Sequence, residues 1–242
     1  MARLHAPLLA PTDVIPHLAR GERHWKQGYS AHAIATTWFG AKGLPDAIHR
    51  TLATHPRLSG AVLLDAFVER ETDLRDGARG PSCTDVMAIL KSPDGLVVMA
   101  VEGKVQEDFG PTVERWASDA SEGSKKDVRL ASLRARLGLR GSQPDHLHLR
   151  YQLLHRTAAA LLEADDYGAA AAIMMVHSFD ASAAHFDDFA AFAAALGAGD
   201  AHLDQVVGPV PGLSRPLYLG WTTDKLPPLA AAAPALPTPP RN

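Results

Sequence analysis

Three charged residues interrupt a stretch that otherwise predicts a buried β-hairpin. The stretch is "SCTDVMAILKSPDGLVVMAVEGKVQ", residues 82 to 106, and the charged residues are Asp85, Glu102 and Lys104. Two carboxylates and an ammonium group can hold a divalent cation and act on a water molecule beside it, which is hydrolytic chemistry. Burial of these charges is costly unless they have partners, so the sheet must supply counter-charges, a cation or water.

The turn in "SPDG" decides whether the three charges meet. Pro93 presets its own φ, and Gly95 accepts a positive φ, as a tight turn requires. With a loop of two or four residues, Asp85 lies opposite Glu102, and Lys104 shares the face of Glu102 because side chains alternate along a strand. A three-residue loop with a bulge would shift the register by one residue and turn the carboxylates to opposite faces.

A hard cation such as Mg²⁺ or Mn²⁺ suits this set of ligands. The carboxylates of Asp85 and Glu102, a main-chain carbonyl of Gly103 or Val105, and water supply the oxygen atoms that such ions prefer. Lys104 would then position or deprotonate a metal-bound water and stabilise charge on a phosphate. The alternative is structural: Asp85 caps a strand edge, and Glu102 forms an ion pair with Lys104 or an arginine.

The elements around the hairpin predict an α/β fold with a mixed sheet. Residues 1–58 have helical signals, including Ser30 as a predicted N-cap and Pro45 in a first helical turn. Residues 59–225 read as three strands, two helices, a stronger helix, and then strand, helix and strand, which favours a sheet with helices on both faces. Residues 226–242 are rich in Pro and Ala and predict a disordered tail.

The hairpin and the stronger helix resemble a known superfamily. Asp85, a turn and "EGK" at 102 to 104 are similar to the pattern of the PD-(D/E)XK phosphodiesterases, which have the restriction-endonuclease-like fold. Gln152 in "RYQLLHRT" resembles the glutamine that some members carry on the helix behind the site, and Glu69 or Glu71 resembles an additional upstream carboxylate. The chain also resembles an uncharacterised bacterial family through "HWKQGYSA", "AVEGKV", "FGPTV" and "LRYQLLHRTA".

The resemblance implies a nuclease with DNA or RNA as its partner. Asp85 and Glu102 would hold Mg²⁺ or Mn²⁺, Lys104 would assist the attacking water, Gln152 would orient Lys104 or a phosphate, and Glu69 would help. Many members of this fold dimerise to cut two strands, so a homodimer is also expected. The sequence departs from the pattern in two places: Thr84 replaces a proline before Asp85, and the aromatic residue of exonuclease-type members is replaced by His155.

Two other interpretations remain open at the level of sequence. The first is a catalytically inactive nuclease-like module with a binding or regulatory role, which the formal net charge of −3 favours. The second is a hydrolase that uses Ser178 or Cys83 as its nucleophile, although the sequence contains no G-x-S-x-G motif. Phosphate-binding loops of the P-loop and dinucleotide types are also absent from the sequence.

A basic stripe on one predicted helix is the candidate nucleic-acid surface. Lys125, Arg129, Arg136 and Arg140 recur at helical spacing, opposite Leu130, Leu133 and Leu137. Such a stripe can follow a phosphate backbone, whereas a solvated helix face is the simpler interpretation.

Composition limits the remaining classes. The single cysteine, Cys83, excludes an intramolecular disulfide and a multi-cysteine zinc site, and it fits a cytoplasmic location. The sequence contains no apolar run long enough for a membrane span, so no membrane partner is expected.

Overall fold

The computed structural model describes residues 8–19, 21–121, 123–139 and 146–228. Two short 3₁₀ helices, Pro11–His17 and Gly21–Arg23, come first. The longer elements follow in this order: α1 (Ser30–Gly40), α2 (Asp46–Ala53), β1 (Val62–Thr72), β2 (Ser82–Ser92), β3 (Gly95–Lys104), α3 (Val113–Ser118), α4 (Lys126–Leu137), α5 (Tyr151–Asp166), β4 (Ala171–Ser178), α6 (Phe186–Ala195), β5 (Gln205–Val207) and β6 (Leu217–Thr223).

The strands form one mixed sheet with the order β1-β2-β3-β4-β6-β5. β1, β2 and β3 are antiparallel neighbours, β3, β4 and β6 are parallel, and β5 is antiparallel to β6. The parallel steps contain helices in their connections, because parallel neighbours need a crossover. The predicted α/β fold with a mixed sheet flanked by helices is therefore confirmed.

Each face of the sheet carries its own hydrophobic core. On one face, Met87 and Ala100 pack with α5 residues such as Leu154 and Ala158. On the other face, Val86 and Met99 pack with the N-terminal helices through residues such as Ile34 and Leu52. These alternating positions explain why β2 and β3 are continuous apolar runs, since strands covered on both faces need no polar side. Helices α1 and α2 of the N-terminal segment thus pack on this face of the sheet.

The hairpin has the two-residue turn that the sequence allows. Ser92 pairs with Gly95, so only Pro93 and Asp94 lie between the strands, and Gly95 has a φ of 121°. A side chain at Gly95 would be strained in this conformation. The short turn excludes the bulged three-residue alternative and sets the register of the candidate site.

Several local predictions differ from the structure. The first predicted helix is a 3₁₀ helix, because Pro16 lies within it and cannot donate a main-chain hydrogen bond. The N-cap of α1 is Tyr29 rather than Ser30. The strand β5 was not predicted, since "QVV" is too short to give a periodic signal.

Two further observations concern membrane spans and the predicted segment boundaries. No helix within the described residues is long and apolar enough to cross a membrane. The predicted boundaries at residues 58 and 225 stay a prediction, and most of the predicted tail lies outside the described residues.

Candidate functional site

Asp85 lies where the regular pairing of β2 and β3 ends. The ladder runs from Ser92↔Gly95 to Val86↔Val101, which is the predicted register. Beyond it, Oδ2 of Asp85 accepts the N–H of Gly103 at 2.8 Å, so a side-chain carboxylate takes a role that main-chain carbonyls fill elsewhere in the ladder. The register is confirmed, whereas Asp85 and Glu102 do not form the regular cross-strand pair that we expected.

Glu102 is buried at the centre of a hydrogen-bonded network. Its Oε1 accepts from Nζ of Lys104 at 3.1 Å and from Nε2 of Gln152 at 2.7 Å. Its Oε2 accepts from Nε of Arg156 at 2.6 Å. Lys104 also donates to Oε1 of Gln152 at 3.0 Å, so Gln152 bridges the two charged groups. The structure thus brings Glu102, Lys104 and Gln152 together, and the catalytic roles expected for them stay a prediction.

The two carboxylates of the site have opposite protonation tendencies. Burial alone would raise the pKa of Glu102, but the charges of Arg156 and Lys104 and their hydrogen bonds lower it to about 2. Burial raises the pKa of Asp85 well above its ordinary value, and the charges of Glu102 and Glu69 raise it further, with partial opposition from Arg156 and Lys104. Glu102 is therefore favoured in its ionised form, whereas Arg156 and Lys104 only partly offset the burial of Asp85, which forms no direct ion pair among the described residues.

Glu69 lies beside this network, at an irregular point of the edge strand β1. Its φ of 50° is left-handed, and the next residue, Arg70, turns toward α5, where it forms an ion pair with Glu163. Burial raises the pKa of Glu69, a hydrogen bond from Cys83 lowers it, and the charge of Glu102 raises it again. Glu71 is exposed and pairs with Cys83 in the ladder. Of the two upstream carboxylates, Glu69 is the one that interacts with the site.

The structural alternative from the sequence included an arginine as a partner of Glu102, but sequence reasoning did not identify it as Arg156. Its guanidinium group is buried and connects Glu102 to Ser82, whose Oγ accepts from NH1 at 3.0 Å. Nδ1 of His155 also lies 2.9 Å from the same Oγ. The available signal was helical spacing, because Gln152 and Arg156 are four residues apart and share one face of α5.

The alternative nucleophiles have unfavourable surroundings. Burial raises the pKa of the Cys83 thiol, and the charge of Glu69 raises it further, which opposes formation of a thiolate. Ser178 is fully buried, and its Oγ accepts the N–H of Asp180 at 3.3 Å. Among the described residues, no histidine forms a hydrogen bond with either side chain. These contacts give no support to covalent catalysis at Cys83 or Ser178.

The residues of the basic stripe have different surroundings. Arg129 is buried, and its guanidinium group binds the carboxylate of Asp76 at 2.7 and 3.1 Å, so it departs from the expected stripe opposite the leucines. Lys125 donates to the carbonyl of Gly77 at 3.0 Å. Arg136 is partly buried, and Arg140 lies outside the described residues. Lys125 and Arg129 thus anchor the segment before β2, and the nucleic-acid role of the stripe stays a prediction.

The fit of a divalent cation depends on Asp85 and Glu102. Within the described parts of the chain, no three side chains of His, Cys, Asp or Glu are grouped so that they could hold an ion. Asp85 accepts one hydrogen bond, at Oδ2, whereas Glu102 accepts two at Oε1 and one at Oε2, so the free lone pairs lie mainly on Asp85. Carboxylate oxygens are the kind of ligand that Mg²⁺ or Mn²⁺ prefers, so the side-chain chemistry suits such an ion, and its binding here stays a prediction.

Comparison with known proteins adds one match. The model of a family described as "Domain of unknown function (DUF6946)" matches residues 7–226. The chain belongs to this family. The DUF6946 match contains every element of the sheet and every predicted site residue, and it confirms the expected membership of an uncharacterised family. No curated protein and no solved structure matches the chain.

Proposed function

We propose that this DUF6946 protein is a metal-dependent nuclease or phosphodiesterase that hydrolyses phosphodiester bonds in nucleic acid. The observation that carries the proposal is the contrast between the two carboxylates. Glu102 is ionised and held by three donors, whereas burial and neighbouring carboxylates raise the pKa of Asp85. A divalent cation supplies the positive charge that the ionised form of Asp85 lacks.

Each residue of the network has a role in this proposal. Asp85 and Glu102 would hold Mg²⁺ or Mn²⁺, and when bound the ion would supply Lewis-acid activation of water and neutralisation of phosphate charge. Lys104 orients the attacking water and stabilises the developing charge. Gln152 fixes the ammonium group of Lys104, to which its Oε1 is already bound at 3.0 Å. Arg156 keeps Glu102 ionised, and Glu69 contributes a third carboxylate beside the site.

The resemblance to PD-(D/E)XK phosphodiesterases supports this assignment. The features in common are a mixed sheet, an antiparallel hairpin that carries Asp85 and the Glu102–Lys104 pair, and a helix behind the sheet that supplies Gln152. The restriction-endonuclease-like fold is part of the proposal.

A catalytically inactive binding or regulatory module is the second candidate, and one observation favours it. Lys104, Arg156 and Gln152 already satisfy Glu102, and Asp76 already neutralises Arg129. A network whose carboxylate is already neutralised and hydrogen-bonded without a metal ion can have a purely structural role. In this case Asp85 is a protonated side chain that closes the end of the β2–β3 ladder.

Thermal unfolding with Mn²⁺ distinguishes the two candidates. A cation that binds only the folded protein raises the unfolding temperature. We expect Mn²⁺ to stabilise the wild type and not Asp85→Asn, because asparagine still accepts the N–H of Gly103 but carries no charge. Asp94→Asn, at the exposed hairpin turn, is the matched control and should respond like the wild type. No stabilisation of the wild type at millimolar Mn²⁺ would support the inactive module.

An activity assay completes the test. The purified protein is incubated with plasmid, single-stranded DNA and RNA, with Mn²⁺ or with a chelator. Cleavage that requires the metal and is lost in Asp85→Asn and Lys104→Met supports the nuclease. Binding of Mn²⁺ without cleavage of any of the three substrates would contradict hydrolysis of nucleic acid.

A further inference from the structure

The strand β1 forms one edge of the sheet, and its outer side has no neighbouring strand. β1 pairs only with β2, and no other main-chain to main-chain hydrogen bond joins residues 62–72 to the described parts of the chain. In an antiparallel strand, alternate residues direct their N–H and C=O groups away from the paired neighbour. β1 therefore presents a row of unpaired main-chain donors and acceptors on its outer side.

A cleft of about 970 Å³ runs along this outer side. Its lining includes every residue from Asp65 to Glu71. Because successive side chains of a strand point to opposite faces, a cleft that touches all of them borders the strand from its unpaired edge. Leu8 and Phe39, both partly buried, line the cleft from the N-terminal segment. Seven extended residues span about 23 Å, so this length of edge can pair with a short extended peptide.

The charges of β1 limit which peptides can pair with it. Asp65 and Glu71 are exposed carboxylates, and neither forms an ion pair among the described residues. Arg70 is the one basic residue of the strand, and Glu163 neutralises its charge at 3.3 Å. The outer side of β1 therefore carries negative charge, which repels a phosphate backbone and attracts basic side chains.

Two irregularities of β1 restrict pairing further. The register with β2 shifts between Leu63 and Asp65, and Glu69 has a left-handed φ of 50°. Bulges and charged side chains on an edge strand prevent pairing with arbitrary strands. The regular part between the irregularities, residues 65–68, can still pair with a strand whose charges are complementary.

We propose that the outer edge of β1 binds an extended peptide segment of a partner protein as a seventh strand, with basic side chains beside Asp65 and Glu71. Main-chain hydrogen bonds supply affinity, and apolar side chains of the peptide pack beside Leu8 and Phe39. A second copy of this chain fits less well, because its β1 brings the same carboxylates and no basic residue other than Arg70. This inference goes beyond the proposed function and does not depend on it.

Binding of synthetic peptides tests the proposal. A fluorescein-labelled peptide of seven residues, lysine-valine-threonine-valine-threonine-valine-lysine, is titrated with the full chain, and a second peptide carries glutamate at both ends. We expect the lysine peptide to bind about tenfold more tightly at low salt, because opposite charges on neighbouring strands attract and like charges repel. Methylation of alternate main-chain nitrogens removes the donors of one edge of the peptide, so one of the two methylated forms should lose binding.

Charge reversal locates the binding on β1. In the double variant Asp65→Lys/Glu71→Lys, the preference should invert, so that the glutamate peptide binds more tightly than the lysine peptide. The double variant Glu114→Lys/Asp200→Lys is the matched control, since it makes the same change of net charge at exposed positions that do not line the cleft. It should keep the preference of the wild type. Circular dichroism checks that each variant is folded.

Four outcomes would overturn the proposal. Absence of binding by the lysine peptide, or equal affinity for the lysine and glutamate peptides, would contradict recognition of a basic strand. Full binding by both methylated peptides would contradict main-chain pairing. A dimer of the full chain that the lysine peptide dissociates in sedimentation experiments would assign the edge to a second copy. A large gain in affinity on removal of residues 1–7, which precede Leu8, would assign it to the N-terminus of the same chain.

Discussion

Arg156 is the residue on which the charge state of Glu102 depends most. Its Nε lies 2.6 Å from Oε2 of Glu102, and both side chains are buried. Removal of one partner from a buried ion pair leaves the other charge uncompensated, which is more harmful than loss of an exposed pair. The same guanidinium group also binds Ser82, so its loss affects β2 as well as β3.

We therefore expect Arg156→Met to destabilise the fold by about 3 kcal/mol. Arg156→Lys should be less harmful because it keeps the charge, although it loses the contact with Ser82. Arg115→Met, which replaces an exposed arginine of α3, is the control. Urea unfolding measures all four proteins. Equal stability of Arg156→Met and the wild type would show that the ion pair contributes no net stability.

Gly103 separates Glu102 from Lys104 and leaves room for α1. A Cβ at this position would lie 2.5 Å from Cγ1 and 2.8 Å from Cδ1 of Ile34. The close approach therefore requires glycine in the Glu-x-Lys motif of this chain, and it fixes α1 against the strand that carries the site.

Gly103→Ala should destabilise the protein by about 1–3 kcal/mol, because the core at Ile34 is already close-packed. Ile34→Ala combined with Gly103→Ala should cost less than the sum of the two single changes. Gly43→Ala, where nothing lies within 4 Å of the added Cβ, should be close to neutral. Thermal unfolding measures the series, and strictly additive effects would rule out the contact as the cause.

At the scale of elements, Glu107 connects α1 to the loop that follows Lys104. Its Oε1 accepts the N–H of Ser30 at 3.0 Å, and its Oε2 accepts the N–H groups of Val105 and Gln106. The first helical N–H groups need acceptors, and a carboxylate also complements the positive end of the helix. Ser30 was the predicted cap, but a residue 77 positions away supplies the acceptor.

This contact makes stability depend on pH. Burial alone would raise the pKa of Glu107, but the hydrogen bonds lower it below its ordinary value. A lowered pKa in the folded state gives stability that is present above the pKa of the unfolded chain and is lost as the pH falls through the folded value. Glu107→Gln should therefore reduce the loss of stability on acidification, while it lowers stability at neutral pH.

Urea unfolding of the wild type and Glu107→Gln, each at neutral and at acidic pH, measures how much unfolding free energy each protein loses on acidification. Glu114→Gln is the control, because Glu114 is an exposed residue of α3. Identical pH dependence of Glu107→Gln and the wild type would contradict a role for the ionised carboxylate.

The sequence predicted helices and strands well where the signal lies within a short segment, as it does for apolar periodicity and for turn residues. The apolar runs of β2 and β3 and the turn signal in "SPDG" predicted the hairpin but left two registers open, and the two-residue turn of the structure selects one of them. The meeting of Glu102, Lys104 and Gln152 was predicted from a resemblance and from side-chain alternation. The partner of Arg129 was not predicted, because Asp76 is 53 positions away.

At the scale of the whole molecule, the site depends on both layers of helices. α5 supplies Gln152 and Arg156 from one face of the sheet, and α1 covers Gly103 from the other face through Ile34. A sequence shows the periodicity of each helix but not which face of the sheet it covers. Glu69 was expected near the site from the resemblance, but the irregular φ of 50° at this residue of β1 has no local sequence signal.

The helix α5 crosses the sheet and binds two of its strands, β3 and β1. Near its start, Gln152 and Arg156 donate hydrogen bonds to Glu102 on β3. Near its end, Glu163 accepts hydrogen bonds from Arg70 and Thr72 on β1, two strands away. One residue inserted between Arg156 and Glu163 would rotate the side chains at the end of α5 by about 100° relative to those at its start. The spacing from Arg156 to Glu163 therefore sets how the edge strand β1 is held relative to β3, which carries Glu102 and Lys104.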